Sequence, residues 1–168
     1  LLKYFNSYSE PDMSARWTSR FKNNGISEDR LIFQYNSDSR QIHLALYEQI
    51  DISLDPFPFN GATTTFEALS MGVPVVSLLG KHFVDRVAAS IVSHAGYPEF
   101  TVKTKEDYVE LAKNLAGDIE GLNNLRLSMR DNLHTSKICD GGPYCRNIET
   151  AFRDMWTTWC ETGGYKGH

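Results

Sequence analysis

The run Gly72–Gly80 (GVPVVSLLG) most narrows what this chain can fold into. A short apolar stretch between glycines reads as a strand, here Val75–Leu79, of the kind a parallel sheet buries on both faces. It is far too short to cross a bilayer. After it, Phe83, Val84, Val87, Ala88, Ile91, Val92 and Ala95 form a helical stripe. The same alternation precedes it. Leu1–Phe5 reads as a strand, and Glu10-Pro11-Asp12 opens a helix with Met13, Trp17 and Phe21 on one face, closing near Gly25. Leu31–Phe33 is the next strand, and Asp38-Ser-Arg-Gln41 is a capping-box variant opening a helix to about Gln49. Ile52–Leu54 is a further strand. Strands alternating with helices at these lengths predict an α/β fold with a doubly wound parallel sheet.

The last third changes character. Thr104-Lys-Glu-Asp107 is a capping signature leading into Tyr108, Leu111, Ala112 and Leu115. Gly117-Asp118 breaks the pattern, which Ile119, Leu122, Leu125 and Met129 resume. A Gly/Pro-rich loop, Asp140-Gly-Gly-Pro143, then precedes a helix carrying Ile148, Phe152, Met155 and Trp159. The expected organisation is one domain, a βα core over 1–102 with a helical tail over 103–163 packed on the sheet.

With 168 residues, 41% of them hydrophobic, the chain is long enough for a sizeable core. The formal charge of −4, without a Lys/Arg block, argues against nucleic acid or an anionic membrane as partner. Cys139, Cys145 and Cys160 form no CxxC pair, so neither zinc spacing nor a disulfide scaffold is expected, which suits a cytoplasmic protein. The abrupt start at Leu1, without Met or signal peptide, reads as a piece of a longer protein.

Open α/β sheets bind ligands beyond the carboxyl ends of their strands. The best furnished strand end is Asp55-Pro-Phe-Pro-Phe-Asn-Gly61, running into Ala62-Thr-Thr-Thr65 and a helix. Asn60-Gly61 permits a tight turn, and a helix start offers free amides and a positive dipole end. Gly61, Ala62, Thr63, Thr64 and Thr65 therefore suit a diphosphate, although one Thr as a plain N-cap accounts for such a start equally. Glu67, one turn on from Thr63, is either a solvated helix residue or a carboxylate facing ribose hydroxyls. His43 is either structural or a base-stacking imidazole, and Arg40 shares its helical face. The chain has no G-x-G-x-x-G, Walker, G-x-S-x-G or H-E-x-x-H motif, and its histidines lack metal spacing, so hydride transfer, ATP hydrolysis, serine hydrolysis and zinc proteolysis lose support.

The stretch HLALYEQIDISLDPFPFNGATTTFEALSMGVPVVSLLG (His43–Gly80), with Arg86-Val-Ala-Ala-Ser90 and the tail segments Leu125–Asp131 and Phe152–Trp156, resembles the O-linked N-acetylglucosamine transferase and SPINDLY group, glycosyltransferase family 41. The resemblance implies a GT-B fold, of which this chain would be the Rossmann-like, C-terminal, nucleotide-sugar-binding half. It implies metal-independent transfer of a sugar, N-acetylglucosamine from UDP-GlcNAc, to Ser/Thr of protein acceptors. By motif position Thr63 and Thr64 would hold the diphosphate, Glu67 the ribose and His43 the base, while Arg40 would match a lysine near the ribose. No catalytic residue is expected within the chain. The family's diphosphate lysine would lie upstream, as would the acceptor-binding domain and TPR repeats, so the isolated chain should be inactive.

Animal members of the group carry His at the position of Ala62, Asp at Glu67 and Arg at Leu46. The Thr-Thr-Thr run and the tail look closer to SPINDLY proteins, which use GDP-fucose, and to bacterial relatives bearing TPR repeats. Protein O-fucosylation and a catalytically silent nucleotide-sugar-binding module are the alternative expectations.

Overall fold

The computed structural model describes residues 2–3, 12–34 and 39–163, with backbone alone at 2, 3 and 12. The described strands are all parallel. In chain order the first elements are strand β1 (Leu2–Lys3), helix α1 (Asp12–Asn23) and strand β2 (Phe33–Gln34), which pairs with β1. Leu1, Tyr4, Phe5 and the expected helix opening at Glu10-Pro11 lie outside the described residues. The β2 strand sits slightly later than Leu31–Phe33, because Glu28–Arg30 forms a short 3-10 turn and Leu31 becomes its C-cap.

Next come α2 (Arg40–Ala45), β3 (Ser53–Leu54), α3 (Thr63–Ser70), β4 (Val75–Leu78), α4 (Val87–His94) and β5 (Thr101–Val102). Ser39 caps α2, its hydroxyl accepting from the Ile42 amide at 3.2 Å, while Asp38 of the expected capping box lies outside the described residues. The predicted helix to Gln49 tightens to a 3-10 turn at Leu46–Gln49. Strand order is β3-β4-β5, with Ser53 opposite Val75 and Ser77 opposite Thr101. All four residues of β4 are buried, as its apolar run requires.

The helix expected from Phe83 is shorter than its stripe. Phe83–Asp85 is a 3-10 turn, and Phe83 is 82% exposed, because the Asp85 carboxylate bonds back to the His82 amide and α4 starts only at Val87. Beyond that, Ala88, Ile91, Val92 and Ala95 are buried as the spacing predicts, and Ala89, outside the stripe, is buried with them.

The tail comprises α5 (Lys105–Gly117), α6 (Ile119–Thr135) and α7 (Gly141–Thr162). Thr104 and Asp118 cap the first two through their side chains, each accepting an amide three residues on. Helix α5 packs against β4 and β5, and α6 against α3 and α5. Met129 and Leu133 of α6 enter one core with Leu69, Val73, Val75, Val92, Tyr97 and Phe100. By contrast, α7 has no buried residue, and Phe152, Met155 and Trp159 are exposed, which corrects the expectation that the whole tail packs on the sheet. Nor does Gly141–Pro143 form a separating loop. With Asp140 as N-cap these residues are the first turn of α7, where proline's missing amide costs no helical bond.

Candidate functional site

Strand β3 ends at Leu54, and the next residue, Asp55, is buried. Register explains its surroundings: with Leu54 opposite Val76, Asp55 falls beside Ser77. The Ser77 hydroxyl donates to one carboxylate oxygen of Asp55 at 2.8 Å, and the Gly61 amide donates to the other at 2.8 Å. A buried carboxylate with both oxygens paired thereby ties the far end of the proline loop back to its root. Burial raises the Asp55 pKa above its ordinary 3.8, and the two hydrogen bonds offset part of that rise.

The loop between is compact. The Phe57–Pro58 peptide is cis, and the Asn60 side chain donates to the Pro56 carbonyl at 3.2 Å. Asn60 also gives its backbone amide to the Val84 carbonyl at 2.9 Å, joining this loop to the one after β4. Gly61 packs closely here: an added Cβ would sit 2.5 Å from the Thr64 hydroxyl oxygen, which would have to turn away. Its carbonyl accepts the Thr65 hydroxyl at 3.0 Å, so both sides of the Gly61 unit are held.

Helix α3 starts from this clamp with Ala62 as N-cap and no side-chain cap. The three threonines therefore differ. Thr65 is buried and spends its hydroxyl on Gly61, Thr64 is half-buried, and Thr63 is exposed. The Thr63 and Thr64 amides, at the positive end of the helix dipole, precede the first helical bonds, whereas the Thr65 amide already donates to the Ala62 carbonyl at 3.1 Å.

Beside this start the fold brings together two residues 24 apart in sequence. His43 on α2 donates from Nε2 to a Glu67 carboxylate oxygen at 2.7 Å, both side chains being 17% exposed. The Tyr47 hydroxyl is shared between the Thr64 carbonyl at 3.2 Å and the same Glu67 oxygen at 3.4 Å. Its ring meets that of His43 edge-on at 5.9 Å. Burial, then the Glu67 charge, push the Tyr47 phenol well above its ordinary range, so it stays a donor. Arg40 stands exposed at the start of α2, one turn before His43, and the Glu67 group is completed by Tyr47 instead.

From the tail, the Tyr108 hydroxyl on α5 donates to the Asp55 carbonyl at 2.9 Å, and burial followed by the Asp55 charge push its pKa up to about 12. The loop after β4 is built in the same way as the first. Asp85 is buried, its carboxylate accepts the His82 amide at 2.6 Å, and its carbonyl accepts the Gly80 amide at 2.9 Å. Arg86 donates to the Gly80 carbonyl at 3.1 Å. A cavity of about 590 Å³ lies beside α4, lined by Leu79, Phe83, Val87, Ser90 and Thr101, and none of Thr63, Thr64 or Thr65 lines it.

Sequence reasoning picked out the threonines, Glu67 and His43 but missed Asp55, Ser77, Tyr47 and Tyr108 as a support. One signal was readable: a hydroxyl inside a strand buried on both faces needs a partner, and Ser77 is that hydroxyl. Among the described residues no group of three or more His, Cys, Asp or Glu could hold a metal ion, and no helix is long and apolar enough to cross a membrane.

Residues 1–148 match the glycosyl transferase family 41 profile. The chain is 41% identical over 119 residues to the Probable UDP-N-acetylglucosamine--peptide N-acetylglucosaminyltransferase SPINDLY of Solanum lycopersicum, covering 71% of this chain and 13% of that protein. It is 30% identical over 132 residues to the UDP-N-acetylglucosamine--peptide N-acetylglucosaminyltransferase of Caenorhabditis elegans, covering 79% and 11% respectively. A mutant O-GlcNAc transferase of Thermobaculum terrenum superposes with a TM-score of 0.85 at 34% identity, covering 97% of this chain and 31% of its own. The chain thus spans about an eighth of these curated relatives and reproduces the fold of the corresponding part of a GT-B transferase. On the match over residues 1–148, this chain belongs to glycosyl transferase family 41.

Proposed function

We propose that the chain is the donor-binding part of a protein O-glycosyltransferase that moves N-acetylglucosamine from UDP-GlcNAc to Ser/Thr of protein acceptors. The observation that carries this reading is the Asp55–Gly61 clamp, which opens the start of α3 at the carboxyl end of β3. The first amides of α3 and the Thr63 and Thr64 hydroxyls hold the diphosphate, with the Gly61 and Ala62 backbone closing the turn. They act most strongly when negative charge develops on the leaving nucleotide, so they stabilise the transition state as well as the bound donor. Thr65 serves the cradle from beneath, through Gly61. Glu67 accepts from the ribose hydroxyls and His43 lies against the base, with Arg40 nearby at the rim. Metal is not needed in this scheme, because amides and hydroxyls supply the neutralising dipoles. Acceptor recognition falls to parts of the protein outside this chain, which spans only 13% of its SPINDLY relative.

Support for the donor comes from the relatives, whose names specify UDP-N-acetylglucosamine and peptide. Two substitutions in the complete catalytic region test the assignment. Thr64→Ala should weaken UDP binding by about 1–2 kcal/mol, the scale of a hydrogen bond to a charged group. His43→Ala should weaken UDP but leave inorganic pyrophosphate unchanged. Unaltered UDP affinity in Thr64→Ala removes Thr64 from the site, and equal losses for both ligands in His43→Ala assign His43 to folding.

A further inference from the structure

We infer that Tyr108, acting through Asp55, is a positioning residue for the diphosphate loop, so that the helical tail sets the geometry of the donor site. The inference rests on the donor-site reading above.

Asp55 touches the sheet, the tail and the loop. Its amide donates to the Val76 carbonyl at 3.0 Å, its carboxylate holds Ser77 and Gly61, and its carbonyl receives the Tyr108 hydroxyl. Tyr108 lies 53 residues away in sequence, one turn into a helix that packs on β4 and β5. The route from it to the ligand is short. Tyr108 fixes the Asp55 peptide, Asp55 fixes the Gly61 amide, and Gly61, held by Thr65 as well, fixes where α3 begins. Helix-end amides lose much of their value when misdirected, because their bonds to a phosphate oxygen depend steeply on angle. Neither Tyr108 nor Asp55 needs to touch the ligand for this: Asp55 is buried, with both its carboxylate oxygens committed.

The test compares UDP with uridine, which lacks the diphosphate, by calorimetric titration of the complete catalytic region well below its melting temperature. Tyr108→Phe removes one hydroxyl while keeping the ring. It should weaken UDP about 3- to 10-fold, the effect of one hydrogen bond, and leave uridine unchanged. Asp55→Asn, which retains an acceptor for the Gly61 amide, should stay closer to wild type than Asp55→Ala. Equal weakening of UDP and uridine in Tyr108→Phe, or a lowered melting temperature with UDP affinity intact, would overturn the inference and leave Tyr108 a packing residue. A wild-type region that binds no UDP overturns the donor-site reading itself, and this inference with it. UDP binding that is lost in Thr64→Ala but intact in Tyr108→Phe overturns only the role of Tyr108.

Discussion

A carboxylate buried at the end of a strand is costly unless both oxygens are paired, and Asp55 meets that condition with Ser77 and Gly61. Its pKa nevertheless stays above the ordinary 3.8, since desolvation outweighs the two bonds. A carboxyl raised in the folded state stabilises the fold below its ordinary value, and that contribution is lost as the pH rises through the raised value. Wild type should therefore lose stability relative to Asp55→Asn as the pH rises above about 3.8, as measured by thermal unfolding across a pH series. A stability difference independent of pH would mean that the carboxyl is not perturbed. In the sequence Asp55 was visible only as the first residue of a proline-stiffened loop. Its partners depend on register and on a tyrosine 53 residues on, which no local pattern encodes. That Thr64 and Glu67 sit a turn apart near the start of α3 was legible from helix spacing, though not what either side chain binds. The pairing of Glu67 with His43 was not, since it joins two helices across a strand.

The elements themselves were largely written in hydrophobic period, while their ends were set by caps and glycines. Helix α3 shows why. Gly72 follows it with φ +72°, and a Cβ there would meet the Arg126 carbonyl oxygen of α6 at 2.7 Å. Arg126 in turn donates to the Gly72 carbonyl at 3.1 Å and pairs with Asp51, so this turn is where α6 grips the βα core. Gly25 has a similar φ of +78° but open space around it. Gly72→Ala should cost clearly more than Gly25→Ala, about 3 kcal/mol against about 1 kcal/mol, because only the first adds a backbone collision to strain. Denaturant unfolding of the two variants checks this, and equal losses would show that α6 yields without penalty. The Gly72 φ is the kind of fact a sequence hints at through Met-Gly-Val. The collision partner lies 54 residues away, beyond its reach.

At the scale of the molecule, the alternation of strands and helices led to the right fold, and a superposition covering 97% of the chain at a TM-score of 0.85 agrees with it. The tail was read less well. Periodicity marked Ile148, Phe152, Met155 and Trp159 as one face of α7, but a stripe says only that a face is apolar, not whether this chain covers it, and here it stays exposed. The proposed donor site is likewise read from a partial chain, which spans 31% of the transferase it superposes on. Calorimetric titration of the complete catalytic region with UDP, UDP-GlcNAc, GDP and GDP-fucose tests the proposed donor assignment most directly. UDP and UDP-GlcNAc should bind at least about tenfold more tightly than their GDP counterparts, a difference of roughly 1.4 kcal/mol. Tighter binding of GDP and GDP-fucose, or no binding of any of the four, would contradict it.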